Sequence, residues 1–173
     1  VYTYDGTPRS LVPDEPTGCT AVTQTFTGIN DTVYGPTTTP PTDPGTYKVA
    51  VTYTMEAGYD QIQPQYANLT INKANQEAPL APVVTDVTDT TITIEVEEGV
   101  AYSIDGGKTW QTYGLFTGLN RDTVYSIIPK AIETAYCKEQ VGPATEQRTE
   151  QTVIQFPVIA DQSYEFDGNA KTF

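Results

Sequence analysis

The sequence contains no histidine, and this absence excludes more chemistry than any other feature of its composition. Without histidine there is no Ser-His or Cys-His catalytic pair and no imidazole ligand for a metal. Glycine-rich phosphate-binding loops are missing as well. We therefore expect no enzymatic activity, no catalytic residues, no dedicated metal site and no cofactor.

Two sets of acidic residues could still support catalysis or metal binding without histidine. A carboxylate pair can hydrolyse glycosides without histidine, and Glu95, Glu97 and Glu98 are the nearest such residues in the chain. The apolar residues that alternate with them predict a strand whose buried face carries Ile92, Ile94 and Val96, so the glutamates belong on its solvent side. Loop carboxylates could also ligate calcium, although no string has the spacing of a dedicated calcium loop; these are Asp14, Glu15, Asp31, Asp43, Asp86 and Asp89.

Basic residues are scarce, with 9 Lys and Arg against 22 Asp and Glu and a formal net charge of −13. Nucleic-acid binding depends on clustered cations that neutralise phosphates, so we expect no nucleic-acid partner. The sequence also lacks an apolar run near the ~20 residues of a membrane-spanning helix. We therefore expect no membrane insertion within this segment.

Only two cysteines are present, Cys19 and Cys137, and they are far apart in the chain. Their spacing matches no disulfide framework and no metal-binding motif. We expect two separate thiols, with a bridge between them as the alternative.

Threonine, valine, tyrosine, proline and glycine are abundant instead, a composition that favours short strands and tight turns. The clearest strand runs from Thr46 to Met55, where apolar and polar residues alternate with the period of two that leaves one face buried. A second strand is predicted from Cys19 to Thr27, and Ala67, Leu69 and Ile71 alternate in a third. The sequence therefore predicts an all-β fold.

Three strings in residues 1–74 carry a family resemblance. They are Tyr-Asp-Gly-x-x-Arg-Ser-Leu from Tyr4, Pro-x-Asp-x-Gly-Thr-Tyr-x-Val-x-Val from Pro41, and Ala-x-Leu-Thr-Ile-x-Lys-Ala from Ala67. Together they resemble the MBG domain, an immunoglobulin-like β module found in tandem on bacterial secreted and surface proteins. The resemblance implies an immunoglobulin-like β-sandwich for residues 1–74. The repeat at the end of the sequence, described below, indicates that the first strand of this unit is missing.

Residues 83–150 form a second predicted unit, after a linker at residues 75–82 that is rich in proline and alanine. The string Leu-Asn-Arg-Asp-Thr-Val-Tyr, from Leu119 to Tyr125, resembles the tyrosine corner of fibronectin type III-like domains. In that motif the tyrosine hydroxyl bonds to backbone a few residues upstream. The resemblance gives Tyr125 and Leu119 structural roles and directs Tyr125, Ile127 and Ala131 into the core. Pro129 cannot donate to a ladder, so we expect an edge strand or a bulge there.

A hairpin is predicted from Ala101 to Thr112, turning at Asp105-Gly106-Gly107. Its string Ser-x-Asp-x-Gly-x-Thr-Trp resembles the Asp-box hairpin of sialidase propellers, where Asp and Gly shape the turn and Trp packs beneath it. Asp105 and Gly107 are therefore expected to be structural. Trp110 is expected in the core; the alternative is an exposed platform for sugars, with Tyr102 and Tyr113 beside it.

The end of the sequence repeats its beginning. The ten residues from Tyr164 to Phe173 repeat the pattern of the ten from Tyr2 to Leu11 at a constant offset of 162 residues. Such a repeat indicates a modular array, in which residues 151–173 begin a further MBG-like unit. The apolar run from Val153 to Ile159 then has no counterpart before Tyr2. We expect it to complete an MBG-like unit, either its own first unit or that of a second copy through strand-swapped self-association; the alternative is that the tail lies against the second unit.

These features predict two tandem immunoglobulin-like and fibronectin III-like β-sandwiches plus the first strand of a further module. The expected function is a non-catalytic spacer in a bacterial secreted or cell-surface protein, supporting adhesion, whose partners are its neighbouring modules. The extracellular location comes from the resemblance. The alternative function is binding of a glycan or host surface protein, through loops or the aromatic surface around Trp110.

Overall fold

A computed structural model describes residues 1–152. The apolar run at residues 153–159 and the repeat at residues 164–173 lie outside the described residues. The described part is all-β, with several sheets and no helix, which confirms the predicted fold class. Its strands are β1 (Tyr2–Thr3), β2 (Cys19–Ile29), β3 (Gly45–Met55), β4 (Gln65–Asn72), β5 (Ala74–Asn75), β6 (Val84–Val87), β7 (Ile92–Ile94), β8 (Val100–Ser103), β9 (Leu115–Phe116), β10 (Val124–Ala131), β11 (Cys137–Lys138), β12 (Gln140–Val141) and β13 (Thr145–Arg148).

The first unit, residues 1–74, contains one four-stranded sheet in the order β1-β4-β3-β2. Strands β2, β3 and β4 are antiparallel neighbours, whereas β1 lies parallel to β4 with Tyr2 opposite Ile71. The alternation predicted for β3 is present, because Tyr47, Val49 and Val51 are buried on one face. Phe26 from β2 joins them there, so the core of this unit is built on one face of one sheet.

Loops cover that buried face within residues 1–74. Tyr4, Leu11 and Tyr34, all in loops, pack against the core of the first unit, together with Tyr2 from β1. The Gln24 side chain fixes part of this cover, since its amide donates to the Leu11 carbonyl and accepts from the Leu11 N–H, both at 2.9 Å. The side chain satisfies polar backbone groups that a second sheet would otherwise pair.

The second unit, residues 83–150, has two sheets around one core. One sheet has the order β6-β7-β9; in the other, β10 pairs with β8, β12 and β13. Side chains from both sheets meet between them, which makes this unit a sandwich. The buried members are Ile92, Ile94, Val100, Tyr102, Phe116 and Ile127.

Two predicted details of the second unit differ from the structure. Strand β7 ends at Ile94, so Val96 lies beyond the alternation and is 56% exposed instead of buried. Pro129 lies in the interior of β10 and is buried, so β10 is not an edge strand. The Pro129 carbonyl accepts a 2.9 Å bond from Gly142 N–H, at the break between the β12 and β13 ladders. Proline has no N–H to donate. The Pro129 nitrogen lies on the side of this break, where β10 has no neighbouring strand that needs a backbone donor.

Candidate functional site

The hairpin between β8 and residue 111 is organised by Asp105. Its carboxylate accepts hydrogen bonds from the N–H groups of Lys108 and Thr109, both at 3.0 Å, and from the hydroxyls of Thr109 at 2.7 Å and Ser103 at 2.8 Å. The Thr109 side chain, followed by the Thr109 backbone and Ser103, holds the pKa of Asp105 far below its ordinary value. The carboxylate therefore stays ionised and fixes the turn, which is the structural role that the sequence predicted for it.

Gly107 and Trp110 form the closed side of this turn. Gly107 has a φ of 85°, a left-handed conformation that favours glycine, and an added Cβ would lie 3.4 Å from the Trp110 ring. The Trp110 indole N–H donates to the Gly107 carbonyl at 3.0 Å. The Lys130 ammonium lies 4.3 Å from the centroid of the same ring. Trp110 is half-buried, with its polar tip satisfied and a cation already over its ring.

The three residues of the predicted aromatic platform, Trp110, Tyr102 and Tyr113, do not form one exposed surface. Tyr102 is 3% exposed and its hydroxyl accepts from the Glu97 N–H at 2.8 Å, so it belongs to the core and offers no stacking surface. Tyr113 is 63% exposed. Trp110 and Tyr113 line a recess of about 170 Å³, smaller than the ~300 Å³ at which small-molecule pockets begin.

The corner at the opposite end of β10 has the bonding that its motif predicts. The Tyr125 hydroxyl accepts from the Asn120 N–H at 2.8 Å, five residues upstream. Leu119 and Tyr125 are partly buried and pack against the core of the second unit. Thr149 closes the corner, because its buried hydroxyl donates to the Asn120 carbonyl at 2.6 Å. Tyr125 therefore pins the crossover between the sheets.

A seam joins the two units, and the sequence did not predict it. We define the seam as residues 73–76 and Tyr4 on one side and residues 133–138 on the other. Strand β5 pairs in parallel with β11, placing Ala74 opposite Cys137. The Ala74 N–H donates to the Tyr136 carbonyl at 2.9 Å. Asn75, predicted as the first residue of the linker, is therefore part of a strand.

Side chains reinforce this backbone pairing. The rings of Tyr4 and Tyr136 stack with centroids 4.8 Å apart. The Lys73 ammonium contacts the Glu133 carboxylate and the Thr134 carbonyl, each at 2.7 Å, and it lowers the pKa of Glu133. The Gln76 amide donates to the carbonyls of Ile132 at 3.0 Å and Lys138 at 2.7 Å. Backbone, aromatic and charged contacts thus act on one joint.

Beside the seam lies a cleft of about 630 Å³ whose lining includes Ala131 and Ile132. Leu80, 83% exposed, contributes apolar surface, and Glu77, Glu97 and Glu98 are exposed at the cleft. Glu95 and Glu97 are exposed as predicted, although they lie beyond β7 instead of on its outer face. The cleft combines apolar surface with carboxylates.

The remaining expectations from the sequence concern the two cysteines, a metal site and a membrane-spanning helix. Cys19 and Cys137 are free thiols in different units. Within residues 1–152, no three Asp, Glu or Cys side chains are close enough together to hold a metal ion. The same residues include no helix of the length and apolarity that crossing a membrane requires.

Comparison with known proteins adds no relative: no family model matches this chain, and no curated protein matches it in sequence.

Proposed function

We propose that this chain is a non-catalytic spacer segment of a bacterial secreted or cell-surface multidomain protein. In this role its modules hold an adhesive or catalytic domain at a distance from the cell. The bacterial surface setting rests on the resemblance of residues 1–74 to MBG domains and of residues 83–150 to fibronectin type III-like domains. The partners in this proposal are the neighbouring modules of the array.

The observation that carries the proposal is the seam. A spacer must resist bending, and two domains on a flexible linker move independently by default. Here the linker starts as a strand, and β5, Tyr4, Lys73 and Gln76 all bind the second unit. This set of contacts restricts rotation about the joint, as a semi-rigid rod requires.

The joint can be tested by measuring how the units tumble. We expect backbone nitrogen relaxation in NMR to give one rotational correlation time for both units. The double substitution Tyr136→Ala with Lys73→Ala removes the stack and the ion pair, and we expect it to separate the two correlation times. Tyr113→Ala is the matched control, an exposed tyrosine that is not part of the seam. Independent tumbling of the units in the unsubstituted chain would contradict the spacer proposal.

The alternative function is recognition of a glycan or host surface protein, with Trp110 and Tyr113 as the binding residues and without Tyr102. Its support is the 63% exposure of Tyr113 beside the Trp110 recess. The satisfied indole N–H and the small recess favour the spacer. A binding screen against peptidoglycan, polysaccharides and matrix proteins distinguishes the two functions. Binding that is lost in folded Trp110→Ala and Tyr113→Ala variants would make recognition the primary function.

A further inference from the structure

The cleft beside the seam continues into a second, smaller recess. The cleft has a volume of about 630 Å³ and the recess a volume of about 190 Å³. Leu80 and Glu97 line both of them, so the two are parts of one depression in the surface. We call this depression the groove; its lining consists of residues 76–83, residues 95–100, Tyr102, Ala131, Ile132 and Thr134.

Large apolar side chains are exposed along the groove. Leu80, Val83, Val96 and Ile132 are between 40% and 83% exposed. A single exposed apolar residue is ordinary, but several around one concave surface are typical of a binding site. The groove therefore offers apolar area that a ligand could remove from water.

The charge of the groove has one sign. Glu77, Glu95, Glu97 and Glu98 are exposed in its lining, and none of the described lining residues is a lysine or an arginine. The whole chain carries 22 acidic residues against 9 basic ones, so its long-range field also attracts cations. The groove is therefore complementary in charge to a positively charged partner.

Hydrogen bonds hold residues 76–83 in place at both ends. The Gln76 amide donates to the carbonyls of Ile132 and Lys138. At the other end, the Pro82 carbonyl accepts a 2.7 Å bond from the Thr145 hydroxyl. This part of the lining is therefore attached to the second unit without any ligand.

Residues 95–100 are held in a similar way. The Glu95 N–H donates to the Val83 carbonyl at 2.9 Å, and the Glu97 N–H donates to the Tyr102 hydroxyl at 2.8 Å. Because both parts of the lining are already fixed, a ligand has little ordering of the groove to bring about. A preformed site retains more of the free energy of its contacts as affinity.

The composition of the lining distinguishes between possible occupants. A metal ion needs several converging ligands, and no three Asp, Glu or Cys side chains within residues 1–152 are close enough to hold one. The carboxylates would repel a phosphate-bearing ligand. A small inorganic cation would leave the apolar side chains in water. A molecule that carries both apolar and cationic groups matches both parts of the lining.

We propose that the groove binds a short basic segment of a partner protein, in which lysine or arginine side chains lie next to apolar ones. The apolar side chains of this segment cover Leu80 and Ile132, and its cations pair with Glu97 and Glu98. An exposed ion pair contributes little by itself, so burial of the apolar surface supplies much of the affinity. This activity is additional to the spacer function and does not use the surface around Trp110.

Peptide probes test the proposal on the full 173-residue chain. Fluorescein-labelled Lys-Leu-Lys-Leu-Lys-Leu is titrated with the protein, and Glu-Leu-Glu-Leu-Glu-Leu and Lys-Ser-Lys-Ser-Lys-Ser are the comparison peptides. We expect the Lys-Leu peptide to bind, with an affinity that falls as salt screens the exposed charges. Each comparison peptide lacks one of the two kinds of contact, so it should bind at least about tenfold more weakly.

Substitutions in the groove locate the contact. Glu97→Gln with Glu98→Gln should weaken binding of the Lys-Leu peptide about tenfold, and so should Leu80→Ser alone. All three side chains are exposed, so these variants should keep the fold. In NMR spectra of the unsubstituted chain, the amide signals of Leu80, Glu97 and Ile132 should shift when the peptide is added.

Matched control variants change the same kinds of residue outside the groove. Asp14→Asn with Glu15→Gln neutralises another exposed pair of adjacent carboxylates, and Val12→Ser replaces an exposed apolar side chain. These controls should leave the affinity for the Lys-Leu peptide unchanged.

Three results would overturn the proposal. The first is no binding of the Lys-Leu peptide at protein concentrations up to about 1 mM. The second is equal binding of either comparison peptide, which would mean that charge or apolar surface acts alone. The third is an equal loss of affinity in the groove variants and the controls, which would mean attraction to the overall negative charge of the chain.

Discussion

The buried sheet face is covered differently in the two units. In the second unit, strands on both sides of the core supply the buried side chains. In the first unit, one sheet supplies the core within the described residues; Tyr4, Leu11 and Tyr34 cover it from loops, and Tyr2 covers it from β1. A core that is covered by loops depends on a few large side chains and their hydrogen bonds. A core that is covered by a second sheet shares the same burial among several strands joined by backbone hydrogen bonds.

This difference predicts where each unit is vulnerable. In the first unit the Gln24–Leu11 pair and the Tyr47 hydroxyl, which donates to the Asp43 carbonyl at 2.7 Å, replace ladder bonds. In the second unit, Asp105 and Tyr125 hold the connections between strands that are already paired. Substitutions in the two units therefore test the comparison directly.

The largest expected effect is that of Phe26→Ala in the first unit. Phe26 is 1% exposed, and removing a buried phenylalanine side chain costs about 3–5 kcal/mol of unfolding free energy. NMR signals from β3 should report the loss, while the fluorescence of Trp110, the only tryptophan, should show the second unit unchanged. Thr23→Ala, exposed on the same strand, is the control and should stay within about 0.5 kcal/mol. An equal shift of both signals would mean that the units unfold as one.

Acid should destabilise the second unit through Asp105. The pKa of Asp105 is lowered in the folded state from an ordinary value of 3.8, chiefly by the Thr109 hydroxyl. Its contribution to stability is thus complete above the ordinary pKa and is lost as pH falls below that value toward the folded pKa. Thermal midpoints followed by Trp110 fluorescence should fall in this range, and by less in Asp105→Asn. Asp5→Asn in the first unit is the matched variant, since the pKa of Asp5 is lowered mainly by Thr7. Identical acid profiles for the unsubstituted chain and Asp105→Asn would contradict this role.

Tyrosine hydroxyls give a paired test of about 1 kcal/mol in each unit. Tyr125→Phe removes the acceptor of the Asn120 N–H, and Tyr47→Phe removes the donor to the Asp43 carbonyl. A single hydrogen bond of this kind contributes about 0.5–1.5 kcal/mol. Chemical denaturation of each variant should show the loss only in the unit that contains it. Tyr113→Phe should be neutral, because the Tyr113 hydroxyl has no bond among the described residues.

Local patterns in the sequence predicted the local parts of this structure. The period of two in β3, the turn at Asp105 and the tyrosine corner each depend on residues close together in the chain, so their signals were readable. Where the motif fixes one residue at a set spacing, as at Tyr125, the prediction extended to a hydrogen bond with backbone a few residues upstream.

Contacts between distant residues were not readable in this way. The seam pairs Ala74 with Cys137 through two-residue strands that are too short to show periodicity. Tyr102 lies in β8, where four consecutive residues are buried, so alternation could not distinguish core from surface. Val96 was assigned to the buried face because the apolar pattern continued past Ile94, although the strand ends there. In each case tertiary packing decided what local preference left open.

The smallest expected effect compares a cation–π pair in each unit. Lys130 lies over Trp110 with its side chain 18% exposed, whereas Lys48 lies 4.5 Å from the centroid of Tyr66 on the open face of the first sheet. Such pairs contribute about 0.5–1 kcal/mol at exposed sites and more when water is excluded. Lys130→Met keeps the aliphatic stem but removes both the charge over Trp110 and the 2.9 Å ion pair with Glu139. It should therefore cost more than Lys48→Met, also when both are compared in a Glu139→Gln background, and it should change the Trp110 emission spectrum. Equal losses of unfolding free energy in the two variants would show that water weakens the pair on the open sheet face no more than the pair in the sandwich. The two units would then differ only in how their cores are covered.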